Sequence, residues 1–541
     1  MSRHSAAHYF LEGLVDLGVD YIFANLGTDH VSLIEEIARW DREGRKHPEV
    51  ILCPHEIVAV HMAGGYARAT GRGQAVFVHV DAGTANACMA IQNLFRYRLP
   101  VMLFAGRAPF TLHGELTGSR DTYVHFVQDP FDIASIVRPY VKWEYSLPSG
   151  VVVKEALARA GAFMHSDPPG PVYMMLPRET LAEEWDEAQM PAYNPARYGG
   201  VAAGGIDPAR VDAIATRLMA AKNPIALTAY LGRNAEAVAA LERLALACGI
   251  RIAEFNSIDL NVSQDSPCFA GFDPLPLLEQ ADVGLLLDTD VPFVPQYAKR
   301  IEAIDWIQID VDPLKSDFPM WGFPTDIRIQ ADCATVLRQV LEVVASRADD
   351  SYRKRIIDRI AGWSGAREAA DRRRATAAAN KGAPGAISAA YLFATLNRAV
   401  AGGYRRQRSD PQCAAGAGAY PPHAAGKLCR PRRRRARLQR RHGAGPEAGA
   451  AGAAHRADHR RRRLSFFLAG FGIRRRPAIS NSDSDSGARQ WRLAGGQIVG
   501  AARLSEGRRR RDQFLSVATA LGPAGRAAKL FRYRPRVRRA C

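Results

Sequence analysis

The sequence predicts an α/β protein: tandem doubly wound parallel-sheet domains, followed by a segment of a different kind. Three observations predict it. Strand-like and helix-like periods alternate along residues 4–106 and again along residues 208–345. Hydrophobic residues make up 47% of the 541, a globular rather than a disordered composition. The charge breaks near residue 400: the first 400 residues hold 39 basic and 48 acidic side chains, residues 401–541 hold 34 and 7. The formal charge of +18 therefore comes from the last quarter, where every basic residue except Lys427 and Lys529 is Arg.

In the first domain, residues 1–185, Ala7, Phe10, Leu11, Leu14 and Val15 repeat at helical spacing. Residues 21–24 read as a strand, 30–39 as a helix and 50–53 as a strand. A helix at 56–70, a strand at 74–80, a helix at 84–97 and a strand at 100–106 follow, with a further strand at 171–176. Residues 186–205 are rich in Pro, Gly and Tyr without a period, which predicts a linker.

The second domain, 206–345, is predicted as helix 208–221, strand 224–229, helix 235–248, strand 251–254, strands at 281–287 and 306–310, and a closing helix at 334–345. Its first strand runs into Tyr230, Leu231, Gly232, Arg233 and Asn234, which lack the GxGxxG spacing of a dinucleotide fingerprint. Residues 346–386 are charged and Ala-rich, a helical linker. Residues 387–402 open a third domain, in which Leu392, Leu396, Ala399 and Val400 repeat at helical spacing. Past Gly402 no period of 2 or 3.6 is sustained, and residues 403–541 are predicted as an Arg-rich, disordered tail.

Other classes fall away on bulk grounds. No apolar run reaches the roughly 18 residues of a membrane span, and the N-terminus leads into an amphipathic helix rather than a signal peptide. The 8 cysteines show no CxxC spacing, which argues against a disulfide framework or zinc site and for a cytoplasmic location. The Arg-rich tail raises nucleic-acid binding as an alternative, but no helix-turn-helix, zinc or RNA-binding signature accompanies it.

The informative stretch is PHEIVAVHMAGGYARATG at residues 54–71. Glu56 stands where a strand ends and a helix begins, at the carboxyl edge where open parallel sheets bind ligands. Taken alone, a Glu in the first helical turn complements the helix dipole. The helix is apolar on nearly every face, which predicts burial. Gly64 and Gly65 in its middle cost roughly 1 kcal/mol each relative to Ala, a cost that close packing against another element would justify.

This stretch resembles the pyrimidine-binding domain of thiamine-diphosphate enzymes of the acetolactate synthase and benzoylformate decarboxylase group. There the same strand–Glu–helix pattern carries the catalytic glutamate. Residues 76–86, Ala105 with Gly106, and residues 307–313 (IQIDVDP) continue the resemblance, which spans residues 5–400. It implies a thiamine-diphosphate- and Mg²⁺-dependent enzyme that decarboxylates a 2-oxoacid, with or without carboligation, as a homodimer or tetramer. It implies that Glu56 bonds the aminopyrimidine, a role needing a dry site and a raised carboxyl pKa. Gly83, Thr84 and Asn86 would join it at the cofactor. It leaves FAD in the central domain open, and the 2-oxoacid too.

The sequence departs from that pattern in places. The family's Gly-Pro-Gly turn is DAGTAN at residues 81–86. The loop around His113 has no His-His pair of the pyruvate decarboxylase kind. Gln128 corresponds to a glutamine that reaches the site from a neighbouring subunit in acetolactate synthase relatives, so Gln128 and His113 are the substrate-side candidates. His55, His79, His113 and His125 otherwise read as packing or surface, and Arg96 and Arg98 as solvated helix ends.

The family's third domain supplies a GDG motif and a later Asn that bind Mg²⁺ and the diphosphate. Neither motif occurs in residues 387–541, so this chain supplies no metal ligands there. Codons compatible with residues 459–465, advanced one base, can read IGDGAF. Those compatible with residues 488–507 can read LDNGGWQAVKSSVLRVYPK. Three further segments, 404–413, 428–437 and 471–480, permit family-like strings in the same frame and order. A frameshift near residues 402–404 accounts for all five. An inactive, dimerising pseudoenzyme is the remaining alternative.

Overall fold

A computed structural model describes residues 3–408, with side chains to residue 399. Past Arg408, the segment predicted as a tail, with the segments that permit family-like strings in the other frame, lies outside the described residues.

The first sheet has six strands: β1 (Tyr21–Ala24), β2 (Glu49–Leu52), β3 (Gln74–Val78), β4 (Val101–Arg107), β5 (Glu144–Ser146) and β6 (Val172–Pro177). Their spatial order is β2-β1-β3-β4-β6-β5, and every pairing is parallel. Helices α1 (Ala6–Asp16), α2 (Val31–Glu43) and α5 (Val153–His165) cover one face, around Phe10, Leu14, Trp40, Phe77 and Phe104. Between α2 and α5 in the chain, α3 (Glu56–Thr70) and α4 (Val80–Arg96) cover the other, around Val60, Ala63, Val76, Ile91 and Leu103.

Local chemistry sets the ends of α3. The His55 ring accepts the Ile57 N–H, and Gly71 closes the helix at φ 71°, a left-handed position glycine takes without steric cost. The predicted reason for the mid-helix glycines holds at Gly64, where an added Cβ would lie 3.0 Å from Leu94 of α4. Burial of α3 is one-sided, however. Ala59, Val60, Met62, Ala63 and Ala67 are buried, whereas Ile57 is exposed, because only one flank of the helix meets the sheet and α4.

Several boundaries differ from expectation, among them the end of α2, which runs four residues past the predicted 39, and the start of α4. Helix α4 begins at Val80, four residues before the predicted start, so DAGTAN lies in its first turns. The Asp29 carboxylate accepts the Val80 N–H at 3.2 Å and so caps the helix.

The central sheet is also wholly parallel. Its strands β7 (Pro224–Thr228), β8 (Arg251–Glu254), β9 (Phe269–Gly271), β10 (Val283–Leu287), β11 (Asp305–Asp310) and β12 (Ile327–Gln330) lie in the order β9-β8-β7-β10-β11-β12. Helices α6 (Pro208–Ala220), α7 (Ala235–Cys248) and α8 (Cys333–Arg347) pack on one face. Beyond them, α9 (Asp350–Ala361), α10 (Ser364–Ala379) and α11 (Ala389–Arg408) follow; α11 continues past Gly402 into the segment expected as tail. Among the described residues no helix is long and apolar enough to cross a membrane.

Arg96 and Arg98 are not solvated helix ends. Arg96 pairs with Asp317, and Arg98, its side chain only 9% exposed, pairs with Asp290, both partners belonging to the central domain. Docking of the second domain covers the end of α4, which the periodicity of α4 alone does not reveal.

Candidate functional site

The chain order of the first sheet reverses between β1 and β3. A crevice therefore opens at their carboxyl ends, as in other open α/β sheets. Two groups of side chains gather along this edge.

The first group surrounds Glu56. Its carboxylate is buried in the first turn of α3. Oε2 accepts the Asn86 amide at 3.1 Å and lies 3.5 Å from Nδ1 of His55. A carboxylate so placed has a neutral donor on one side and can accept a ring N–H from a ligand.

Asn86 is exposed on α4 beside it. Gly83 and Thr84, predicted with Asn86, turn inward. A Cβ on Gly83 would meet Val78 at 3.0 Å. The Thr84 hydroxyl donates to the Val80 carbonyl at 2.7 Å and lies 2.9 Å from the Tyr173 hydroxyl. They set how closely α4 approaches the sheet, and hence where Asn86 stands.

The second group is one that sequence reasoning missed. Asp29 follows β1, and His79 follows β3. Asp29 Oδ1 lies 2.7 Å from Nδ1 of His79 and 3.0 Å from Nδ1 of His30. Burial opposes the charge on Asp29, but hydrogen bonds from His30 and His79 hold its carboxyl well below the usual range. The hydrogen bond to Asp29 in turn holds the His79 imidazole above its ordinary value, and Gln128 adds to this.

Two glycines make room. A side chain on Gly27 would collide with the His79 ring, and one on Gly106 with the Asp29 carboxylate. That pair of glycines, one at each neighbouring strand end, was the available signal.

A small cavity, about 10 Å³, is lined by Thr28, Asp29, His79, Arg107, His125, Gln128 and Arg178 among others. Gln128 thus stands with Asp29 and His79, whereas His113 is exposed on the preceding loop, its backbone N–H bonded to Glu115. His125, read as packing, is buried at this cavity with Nδ1 3.2 Å from Asp121, and burial lowers its pKa.

Asp29 accepting from Nδ1 fixes the His79 tautomer and leaves the other ring nitrogen to take or give a proton. No group of three or more His, Cys, Asp or Glu among the described residues could hold a metal ion.

Residues 4–136 match the model for the thiamine pyrophosphate enzyme N-terminal TPP binding domain. The acetolactate synthase large subunit of Haemophilus influenzae is 28% identical over 206 residues, 37% of this chain and 33% of that one. The acetolactate synthase isozyme 3 large subunit of Escherichia coli is 25% identical over 364 residues, 64% of this chain and 59% of that one. The chain thus spans between one third and three fifths of the length of these relatives. In fold it is similar to benzoylformate decarboxylase from Polynucleobacter necessarius, with a TM-score of 0.52 at 19% identity over 63% of this chain and 61% of that one.

Proposed function

With residues 4–136 forming an N-terminal TPP-binding domain of the thiamine pyrophosphate enzymes, we propose that this chain carries the pyrimidine half of a 2-oxoacid decarboxylase or carboligase of acetolactate-synthase type. The observation that carries the proposal is the buried Glu56 carboxylate at the carboxyl edge of the first sheet, bonded to Asn86 and open to a further donor. A nitrogen heteroaromatic ring with one N–H fits there. When bound, thiamine diphosphate supplies the electron sink that loss of CO₂ from a 2-oxoacid requires.

The chain's own residues supply the rest. Glu56 holds the ring nitrogen and a proton at its carboxyl, and Asn86 keeps that carboxyl oriented. His79 takes or gives a proton at its second ring nitrogen, and Asp29 keeps the imidazole in the right tautomer. Gln128 lines the same cavity as His79.

The diphosphate half finds no such fit, since the GDG motif and its later Asn are missing from residues 387–541. We attribute this to the frameshift near residues 402–404, so the chain as written binds the cofactor weakly and turns over slowly or not at all. Its cytoplasmic location and its assembly as a homodimer or tetramer belong to the same proposal.

Two experiments test it. Sequencing the coding strand should show the GDG and DN motifs in the +1 frame; a strand without them contradicts the frameshift. In a frame-restored chain, Glu56→Gln should lower cofactor-dependent 2-oxoacid turnover by about 10² or more. Unchanged turnover removes Glu56 from the chemistry.

A further inference from the structure

The central sheet has its own switch point, between β7 and β10, where the connections leave in opposite directions. In open α/β sheets this is where nucleotides enter. Here the crevice is closed by the protein itself. The backbone N–H groups of Ala229 and Tyr230, just past β7, both donate to the Asp288 carbonyl just past β10, at 3.2 and 3.0 Å. A side chain on Gly232 would strike the Leu260 carbonyl, so this glycine admits backbone rather than a phosphate.

Into the same place comes Arg98, from the first domain. Its guanidinium lies 3.9 Å over the Tyr230 ring and meets both oxygens of Asp290, at 2.7 and 3.3 Å. A further N–H reaches the Arg96 carbonyl at 3.3 Å. Lys315, wholly buried, bonds the Tyr230 hydroxyl at 2.5 Å and Asp310 at 2.7 Å, and lies 3.3 Å from Asp290. Arg233 lies 3.4 Å from the buried Asp288.

The cluster gathers the carboxyls of Asp288, Asp290 and Asp310 around the cations Arg98, Arg233 and Lys315, and Arg233 pairs with Asp167 as well, at 3.3 Å. Removing Arg98 would leave Asp290 with Lys315 alone, which Asp310 already shares. Three of the six non-glycine residues with positive φ among the described residues belong to it: Arg98 at 54°, Asp288 at 42° and Lys315 at 52°. Such conformations persist where the surroundings over-determine them, and they gather at functional sites.

We propose that Arg98 is the resident ligand of the central domain's ligand crevice. The crevice recognises a planar cation of its own chain, stacked on Tyr230 and forked onto Asp290, and has no room there for FAD or another dinucleotide. The central domain then acts as a clamp on the end of α4, whose beginning carries Asn86. The contact differs in kind from the half-exposed Arg68–Asp259 pair between the same domains. It also needs a guanidinium in particular, because an ammonium cannot both stack and fork.

The test uses the full chain. Arg98→Ala should melt roughly 5 °C or more below the parent and be cut faster by protease within residues 186–205. Millimolar ethylguanidinium should restore both properties, methylammonium should not, and Arg98→Lys should resemble Arg98→Ala. An Arg98→Ala chain that melts and resists protease like the parent overturns the proposal, as does rescue by methylammonium. Should Arg98→Ala fail to accumulate, the parent chain still decides. Calorimetric titration with FAD and with ADP should show no binding, and one-to-one binding of either at about 10 µM or tighter overturns the proposal.

Discussion

Gly27 and Gly106 bracket the Asp29–His79 pair, and their missing side chains are its space. Gly106→Ala should therefore push Asp29 off His79 and destabilise the fold by about 1–3 kcal/mol, as overpacking does. It should also let the His79 pKa fall back toward its ordinary value, read by NMR titration of the ring; an unchanged His79 pKa with native stability contradicts the pairing. Linkage adds a second prediction. Asp29 is depressed, so its contribution is present above about pH 4 and is lost as pH falls through its lower folded value. His79 is raised, so its contribution is full below about pH 6.5 and is lost as pH rises through its folded value. The stability lost on Asp29→Asn should thus be greatest between those limits and shrink on either side, in urea melts across pH. His30, Asp81 and Gln128 also face the pair and stay unchanged in that comparison. Glu56 was legible because a strand end, a helix start and a long specific motif coincide on one short run. His79 was not. Its partner lies 50 positions earlier, and the two meet only because β1 and β3 are neighbours with β2 displaced to the edge.

Helices α3 and α4 bring the site residues to the sheet edge, and their mutual approach is set by small residues. Gly64 faces Leu94 so closely that even a methyl group would need Leu94 to give way by a few tenths of an ångström, and a larger side chain overfills the space further. Gly64→Val should lower stability by about 1–3 kcal/mol, and adding Leu94→Ala should return part of that loss, a coupling a double-mutant cycle measures. Strictly additive losses would place the cost of Gly64→Val elsewhere. Most strands and helices were readable at this scale, since apolar periods and turn residues mark them locally: α7 and β8 fall where spacing predicts. The start of α4 was not readable, because its cap is the carboxylate of Asp29, distant in sequence. The burial of Arg98 was not readable either, because a charged residue after a helix is ordinarily solvated and only the docked second domain removes it from water.

At the scale of the molecule, two wholly parallel sheets put their ligand edges to different uses. The first keeps its switch point lined with ionisable groups around a small cavity. The second closes its own around an arginine of the first. The net charge divides in the same way: the first 400 residues are net acidic, and the excess of positive charge falls in residues 401–541, where the family's diphosphate motifs are missing. On the function proposed above, Glu56 heads one half of a thiamine-diphosphate site whose other half is encoded out of frame. Calorimetric titration of thiamine diphosphate with Mg²⁺ tests it most directly, on the chain as written and on the frame-restored chain side by side. The expected result is tight, Mg²⁺-dependent binding by the restored chain, at about 10 µM or better, and none by the chain as written. Equal binding by the two, or none by the restored chain, would contradict the claim.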